Sequence, residues 1–426
     1  DHLLEAWFAG FALRSLGFTT IAVDRHMDLP ALGLRNVSGV VLIEGSPFEA
    51  AESFARAGGV AIARVAAADL PALAGGAVPD FPDSTGPGTG GHVRLTSGTT
   101  GTYKKVLRHP RNEDELTRSL VSLHGLAPSS LVFAGNFPAW TAGGYAWPRA
   151  AWSVGATVVF ENSPRPYLPL GRLALTHAFA TPATLAALLQ APDDAFRRSD
   201  ALKLMVTAGA LPKALADRAR TRITRELYVA YASTEAAMVT LTRIEGDEDL
   251  EWHRPLDPRS LAIVDEAGHE LPVGEVGLVR VRASPGVDGY LDDEAATREF
   301  FRDGGFFPGD LGVLRADGRL SLQGRATDVI NLLGSKVATG PIERELQDGL
   351  GVPGVCVFSL PDGQGGEEVH VAIESRLPVA REALAALARK SLAAFPQVHF
   401  HVVEELPRNA MGKVRRIDLR RQFSRG

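Results

Sequence analysis

The chain of 426 residues holds a single cysteine, so no disulfide can close within it. Cys356 sits in an apolar run, Gly354 to Phe358, that reads as a buried strand. It is expected to fill core space rather than to act as a nucleophile. No uninterrupted apolar stretch is long enough to span a bilayer, which excludes a transmembrane helix. An excess of one charge sign is missing too. Lys and Arg number 45 against 50 Asp and Glu, and a net charge of −5 gives no sign of a nucleic-acid partner. The opening Asp1-His-Leu-Leu-Glu lacks a basic segment followed by an apolar core, so a cytoplasmic protein is expected. Internal repeats and low-complexity tracts are absent, and so is the Gly-Lys-Ser/Thr of a P-loop.

What remains is an ordinary globular composition, 45% hydrophobic and 22% charged, with length enough for two or more domains. Helical spacing over Leu3 to Leu16 is followed by short β-rich runs at Thr19–Val23 and Gly39–Ile43. Pro79 to Gly91 reads as a loop. Helix and strand signals then alternate through Glu113–His124, Leu131–Phe133, Thr157–Phe160, Pro182–Gln190, Leu202–Thr207, Pro212–Thr221 and Leu227–Ala230. That alternation predicts an α/β fold, a mostly parallel sheet with covering helices. From about Leu261 short strands dominate (Leu261–Val264, Leu278–Val281, Gly312–Leu314, Leu320–Leu322), as in a small β-rich subdomain. The last hundred residues mix helices at Ile342–Leu350 and Arg381–Leu392 with strands at Val355–Phe358, Val369–Ile373 and Phe400–Val403. The expected organisation is a large N-terminal domain, 1–324, and a small α+β C-terminal domain, 325–426.

The most informative stretch is Leu95-Thr-Ser-Gly-Thr-Thr-Gly-Thr-Tyr-Lys-Lys-Val106. Its glycines permit close backbone approach and positive φ, while N–H groups and hydroxyls can donate to phosphate oxygens. Four further segments follow in order: Tyr231-Ala-Ser-Thr-Glu235, Gly305-Phe-Phe-Pro-Gly-Asp310, Gly324-Arg-Ala-Thr-Asp-Val-Ile330 with Gly334 and Glu343, and Pro407-Arg-Asn-Ala-Met-Gly-Lys-Val-Arg-Arg416. With the loop, these five motifs resemble the adenylate-forming superfamily: acyl- and aryl-CoA ligases, peptide-synthetase adenylation domains and beetle luciferases. The family normally has more chain ahead of the loop than stands here before Thr96, so a compact variant and a fragment both remain open.

The resemblance implies activation of a carboxylic acid by ATP to acyl-AMP, then transfer to the thiol of CoA. Loading of a carrier protein's phosphopantetheine is the alternative, and a non-catalytic nucleotide-binding relative is a third reading. It further implies that Thr96, Ser97, Gly98, Thr99, Thr100, Gly101 and Lys104 hold the ATP phosphates. Lys105, where the family has a small residue, adds charge suited to them. Ala208, Gly209, Ala210, Tyr231, Ala232 and Ser233 would line adenine, and Asp310 with Arg325 would meet the ribose. Thr234 would bond the α-phosphate, and Glu235 would hold Mg²⁺. Lys413 is the expected catalytic lysine on a mobile domain whose hinge position is Thr327, where the family has Asp or Lys. Trp140, Thr141, Gly143 and Gly144 align with the acid pocket, Thr141 standing in place of a His. Pro138 follows Phe137 where an amino-acid-activating domain has Asp, so an apolar acyl or aryl acid is favoured over an amino acid.

Overall fold

The computed structural model describes residues 3–23, 27–44, 48–66, 90–97, 103–135, 137, 139–161, 163–283, 286–332, 335–361, 367–395, 397–409 and 412–424. Its contacts divide the chain into two compact units. One comprises Asp1–Leu126, Phe137–Val154 and Pro285–Arg298; the other comprises Ala127–Asn136, Gly155–Ser284 and Glu299–Gly426. Among the described residues no helix is long and apolar enough to cross a membrane.

The first unit is built on the strand Gly91–Ser97, which pairs in parallel with Thr19–Ile21 and antiparallel with Tyr103–Arg108. Because successive side chains alternate across a strand, Val93 and Leu95 face one way and His92 and Arg94 the other. Leu95 joins an apolar cluster with Leu29, Leu32, Leu42 and Trp140. The opposite face is buried but polar. There Arg94 meets Glu113, at 2.6 and 2.7 Å, and the His92 ring stacks on Tyr145. Glu113 comes from the helix Pro110–His124, whose buried positions (Glu113, Leu116, Thr117, Leu120, His124) follow the helical repeat. Gly125 ends it in the left-handed conformation that glycine favours.

The sequence pattern gave no hint of a second helix here, Ala142–Ser153. It contains Gly143, Gly144 and Pro148, all poor helix formers, and its aromatics lie on several sides. Burial stabilises it instead: Tyr145, Trp147, Pro148, Ala150 and Ala151 are all inside.

In the second unit six strands run in the order Ala237–Arg243, Leu227–Ser233, Lys203–Val206, His177–Ala180, Leu131–Phe133, Thr157–Val159. Every pairing is parallel except the first, which is an antiparallel hairpin. Helices Pro182–Leu188 and Lys213–Arg222 bury Leu185, Leu188, Ala216 and Ala219 in a core with Leu204, Val206 and Leu227. The expected mostly parallel sheet with covering helices is therefore present.

The β-rich region is present as well, a sheet of Phe301–Arg302, Gly305–Phe306, Gly277–Arg282, Asp310–Leu314 and Leu320–Arg325, with Ser260–Val264 on its flank. Further along, Gly354–Pro361, Glu367–Glu374 and Val398–Val403 form a three-stranded sheet. Helices Thr339–Leu350 and Arg381–Ser391 pack on one of its faces through Ile342, Leu346, Leu384 and Leu387. Cys356 is buried here beside Phe358 and Leu419, and burial raises its pKa, as expected of a core thiol.

Candidate active site

The predicted site residues fall on both units. On the first, register brings Ser97 opposite Tyr103, so the hydroxyl- and glycine-rich stretch links two paired strands. Gly98, Thr99, Thr100 and Gly101 lie outside the described residues, as does the side chain of Ser97. Thr96 and Lys104 stand opposite one another near the end of the ladder. The Lys104 ammonium lies 5.1 Å from the centre of the Tyr290 ring, a cation–π distance. Its neighbour corrects an expectation. Lys105 points to the other face, is buried, and donates to the carbonyls of Leu32 and Gly33 at 2.9 and 3.0 Å. It caps a helical turn instead of meeting phosphate.

The residues aligned with the acid pocket are largely committed to the fold. Trp140 is packed in the apolar cluster, edge-on to Tyr103 at 5.6 Å, and its carbonyl accepts from the Leu95 N–H. The Thr141 hydroxyl accepts from the Gly144 N–H at 3.0 Å, capping Ala142–Ser153. A Cβ at Gly143 would lie 3.5 Å from the Phe137 ring, an ordinary contact distance, so this glycine sits directly against that ring.

On the second unit the predicted residues gather where parallel strands end. Ligands in open α/β sheets bind beyond the carboxyl ends of strands, and two such ends lie side by side here. Lys203–Val206 runs into Thr207, Ala208, Gly209 and Ala210. The Thr207 hydroxyl bonds the carbonyl of Ala230 at 3.1 Å, tying the two strand ends together. Ala208 holds φ at +70°, a left-handed conformation costly for a residue with a Cβ, while Gly209 and Ala210 are exposed. The neighbouring strand Leu227–Ser233 carries Tyr231, Ala232 and Ser233. Its pairing with Ala237–Arg243 slips between Tyr231 and Ala232, a bulge that re-aims the end of the strand. Ser233 then accepts from the Ala236 N–H at 2.9 Å, Ala237 takes φ of +59°, and the turn holds Thr234 half-buried and Glu235 buried.

Asp310 connects this edge to the β-rich sheet. Its Oδ2 accepts from the Tyr231 hydroxyl at 2.5 Å, and its Oδ1 lies 2.9 Å from Nε of Arg325, the residue opposite it in the ladder. Arg325 also donates to the Pro308 carbonyl at 2.5 Å. Burial, reinforced by Asp310, pushes the Tyr231 phenol well above its ordinary value, so it remains a donor. Each Asp310 oxygen keeps a lone pair for a further donor.

Lys413 arrives from a distant hairpin. Asn409 shapes the turn: its N–H donates to the Lys413 carbonyl at 2.9 Å, and its side chain accepts from the Lys413 N–H at 3.0 Å. Gly412, at φ of +76°, passes close to Thr181 and Ala183 at the start of Pro182–Leu188, leaving a Cβ only 3.4 Å from the Thr181 hydroxyl. The Lys413 side chain keeps accessible surface yet is crowded by protein. That crowding lowers its pKa, Arg325 lowers it further, and Asp310 and Glu235 work in the opposite direction. Four segments far apart in sequence thus share one electrostatic neighbourhood: Glu235, Asp310, Arg325 and Lys413.

Sequence reasoning gave no role to three residues that hold Lys413 in place. Arg416, three positions on, donates to Asp328 at 2.7 Å, to the Thr339 hydroxyl at 3.2 Å, to the Val357 carbonyl at 3.3 Å, and pairs with Glu343. Glu343 in turn accepts from the Val357 N–H at 2.8 Å. Burial opposes the Arg416 charge, but Glu343 and Asp328 outweigh it and raise the pKa. All three lie within the motifs, and the signal was their pairing of charge. Thr327, the hinge position, is exposed in the turn between Leu320–Arg325 and Val329–Leu332; Gly334 lies outside the described residues.

Known proteins resemble this chain in sequence and in fold. A 4-hydroxybutyrate–CoA ligase of Metallosphaera sedula is 28% identical over 77% of this chain and 63% of its own length. A fatty acid–[acyl-carrier-protein] ligase of Streptomyces coeruleorubidus is also 28% identical, over 77% of this chain and 66% of its own. The chain thus spans just under two thirds of these curated relatives. In fold it is similar to ATP-bound MatB from Rhodopseudomonas palustris, with a TM-score of 0.84 at 22% identity over 99% of this chain and 86% of that one. The AMP-binding enzyme family matches residues 35–291, more than half of the sequence, and the chain belongs to that family.

Proposed function

We propose that this protein uses ATP to convert a carboxylic acid to acyl-AMP and pyrophosphate, then passes the acyl group to the thiol of CoA. The observation that carries this reading is the convergence of Glu235, Asp310, Arg325 and Lys413 beside the carboxyl ends of a parallel sheet. The reaction brings two anions together, so positioning and charge stabilisation do most of the work.

A carboxylate oxygen attacks the α-phosphorus, and the bond to the leaving pyrophosphate breaks. Lys413 neutralises the incoming carboxylate and the α-phosphate as their charges approach. Asp310, fixed by Tyr231 and Arg325, accepts the ribose hydroxyls with its remaining lone pairs. Adenine rests on Tyr231 and the exposed backbone of Ala208 to Ala210. Thr234 donates to the α-phosphate, and Thr96 to Gly101 with Lys104 hold the leaving phosphates. Glu235 supplies the hard, charged oxygen that suits Mg²⁺, a cation bound through one or two carboxylates plus phosphates and waters. Bound there, Mg²⁺ would neutralise phosphate charge. In the second half-reaction the thiol attacks the acyl carbonyl and AMP leaves. Rotation of residues 325–426 about Thr327 would withdraw Lys413 between the two steps.

An apolar acyl or aryl acid is favoured by Pro138 standing after Phe137, where an amino-acid-activating domain has Asp. Transfer to a carrier protein's phosphopantetheine is the second reading. Arg421, exposed on the last helix Arg416–Phe423, favours it, since its charge suits an acidic carrier helix. A cytoplasmic location accords with this chemistry, and neither nucleic acid nor a membrane is required.

The test is ATP–pyrophosphate exchange with Mg²⁺ across aryl, branched, short- and medium-chain acids, followed by thioester assays with CoA and with a carrier protein. Acid-dependent exchange is expected. A folded protein that binds AMP yet exchanges with no acid would overturn the proposal in favour of a non-catalytic nucleotide binder.

A further inference from the structure

The three-stranded sheet carries a second cluster that the proposed chemistry does not use. In the parallel pairing of Glu367–Glu374 with Val398–Val403, His370 stands opposite His399. The two-residue period puts Glu368 and His370 on the same face as His399 and His401. The other face is the apolar core of Val369, Val371, Ile373 and Phe400, so the polar set is confined to one side. On that side the helix Arg416–Phe423 lays Phe423 on the His401 ring, with centroids 4.0 Å apart.

Within the cluster, His399 Nε2 lies 3.2 Å and His370 Nε2 3.9 Å from Glu368 Oε2. The shorter approach is not aligned as a hydrogen bond. Among the described residues His399 Nε2 is buried and has no hydrogen-bond partner. His370 Nδ1 is engaged with His401 Nε2 at 2.9 Å. In the tautomer that donates from Nδ1, His370 keeps a free lone pair on Nε2, 3.9 Å from Glu368 Oε2. This is the arrangement by which an outer hydrogen bond orients a metal-binding imidazole.

We propose that Glu368, His370 and His399 form a binding site for a divalent transition metal of the zinc type, oriented by His401. Two imidazoles and one carboxylate are a common zinc donor set, leaving a position for water. Metal–ligand bonds of about 2.1 Å in a tetrahedron set donor atoms roughly 3.4 Å apart. The donor atoms here all lie within 4.8 Å of one another. The His370 and His399 rings are stacked, with centroids 4.7 Å apart, so convergence requires one ring to tilt. His399 has room for it, since 40% of its side-chain surface is exposed. A bound ion would crosslink two strands of the sheet, a role independent of the adenylation reading.

The test uses the full chain stripped of metal with a chelator, without ATP or Mg²⁺, and titrates Zn²⁺ by calorimetry alongside thermal unfolding. Expected are saturable binding of one ion and a raised Tm. His399→Ala and Glu368→Gln, both at partly exposed positions, should each weaken binding by about tenfold or more, and His401→Ala by a similar factor through His370. No Zn²⁺ uptake by the wild-type chain, or wild-type affinity retained in His399→Ala and Glu368→Gln, would overturn the proposal.

Discussion

Two adjacent lysines show how a residue's role follows from which way its side chain leaves the backbone. Lys104 and Lys105 have the same charge and the same place in the loop motif, but strand alternation sends them to opposite faces. Lys105→Met should destabilise the protein by about 1–3 kcal/mol, because two carbonyls, that of buried Leu32 among them, lose their donor. It should leave the KM for ATP unchanged. Urea unfolding and steady-state kinetics separate these, and a raised KM at unaltered stability would return Lys105 to the phosphates. For Lys413, removal of a preorganised donor is expected to lower the adenylation rate by roughly 10²–10³. In Lys413→Ala, thiol transfer from supplied acyl-AMP should survive, and equal loss in both half-reactions would count against the role.

At the scale of elements, the hairpin 407–415 has little to stabilise it alone, being a turn closed by a few backbone bonds and the Asn409 side chain. Two arginines anchor it: Arg408 pairs with Glu374 of the three-stranded sheet, and Arg416 joins it to the turn bearing Asp328 and to the helix Thr339–Leu350 bearing Glu343. Arg416→Met leaves two largely buried carboxylates unpaired and should cost roughly 3–5 kcal/mol in denaturant unfolding. Loss of less than about 1 kcal/mol would show that the helix and hairpin are held by other contacts. The helix Ala142–Ser153 makes the complementary point. Its glycines and proline argue against a helix locally, and only burial against the rest of its unit decides otherwise.

Across the whole molecule, buried titratable groups make stability depend on pH. His253 is buried on the second unit, and burial, followed by Arg344, lowers its pKa to about 4 from the 6.5 of a free histidine. Between those values the unfolded chain binds the proton that the folded chain refuses. Stability is therefore intact above about pH 6.5 and falls as pH drops towards 4. Near pH 5 this one residue should account for about 2 kcal/mol. Urea unfolding at pH 7 and pH 5 should show that difference in the wild-type chain and a flatter response in His253→Asn. Identical pH dependence in the two would exclude His253 as the source.

Much of this protein is determined by sequence alone. The alternation of apolar runs specifies parallel strands and covering helices, because hydrophobic period and turn chemistry are local properties. Five ordered motifs single out Glu235, Asp310, Arg325 and Lys413 by their resemblance to a family, because a motif is a local run of residues that can be read without the fold. The tertiary structure decided what spacing cannot encode. It turned Lys105 away from the loop, made Thr141 a helix cap and Trp140 a core residue, and joined Arg416 to Glu343 across 73 residues of chain. It also set His370 against His399, from strands with a helix between them. Each of these depends on which face of an element meets which neighbour, and that is settled only when the whole chain packs.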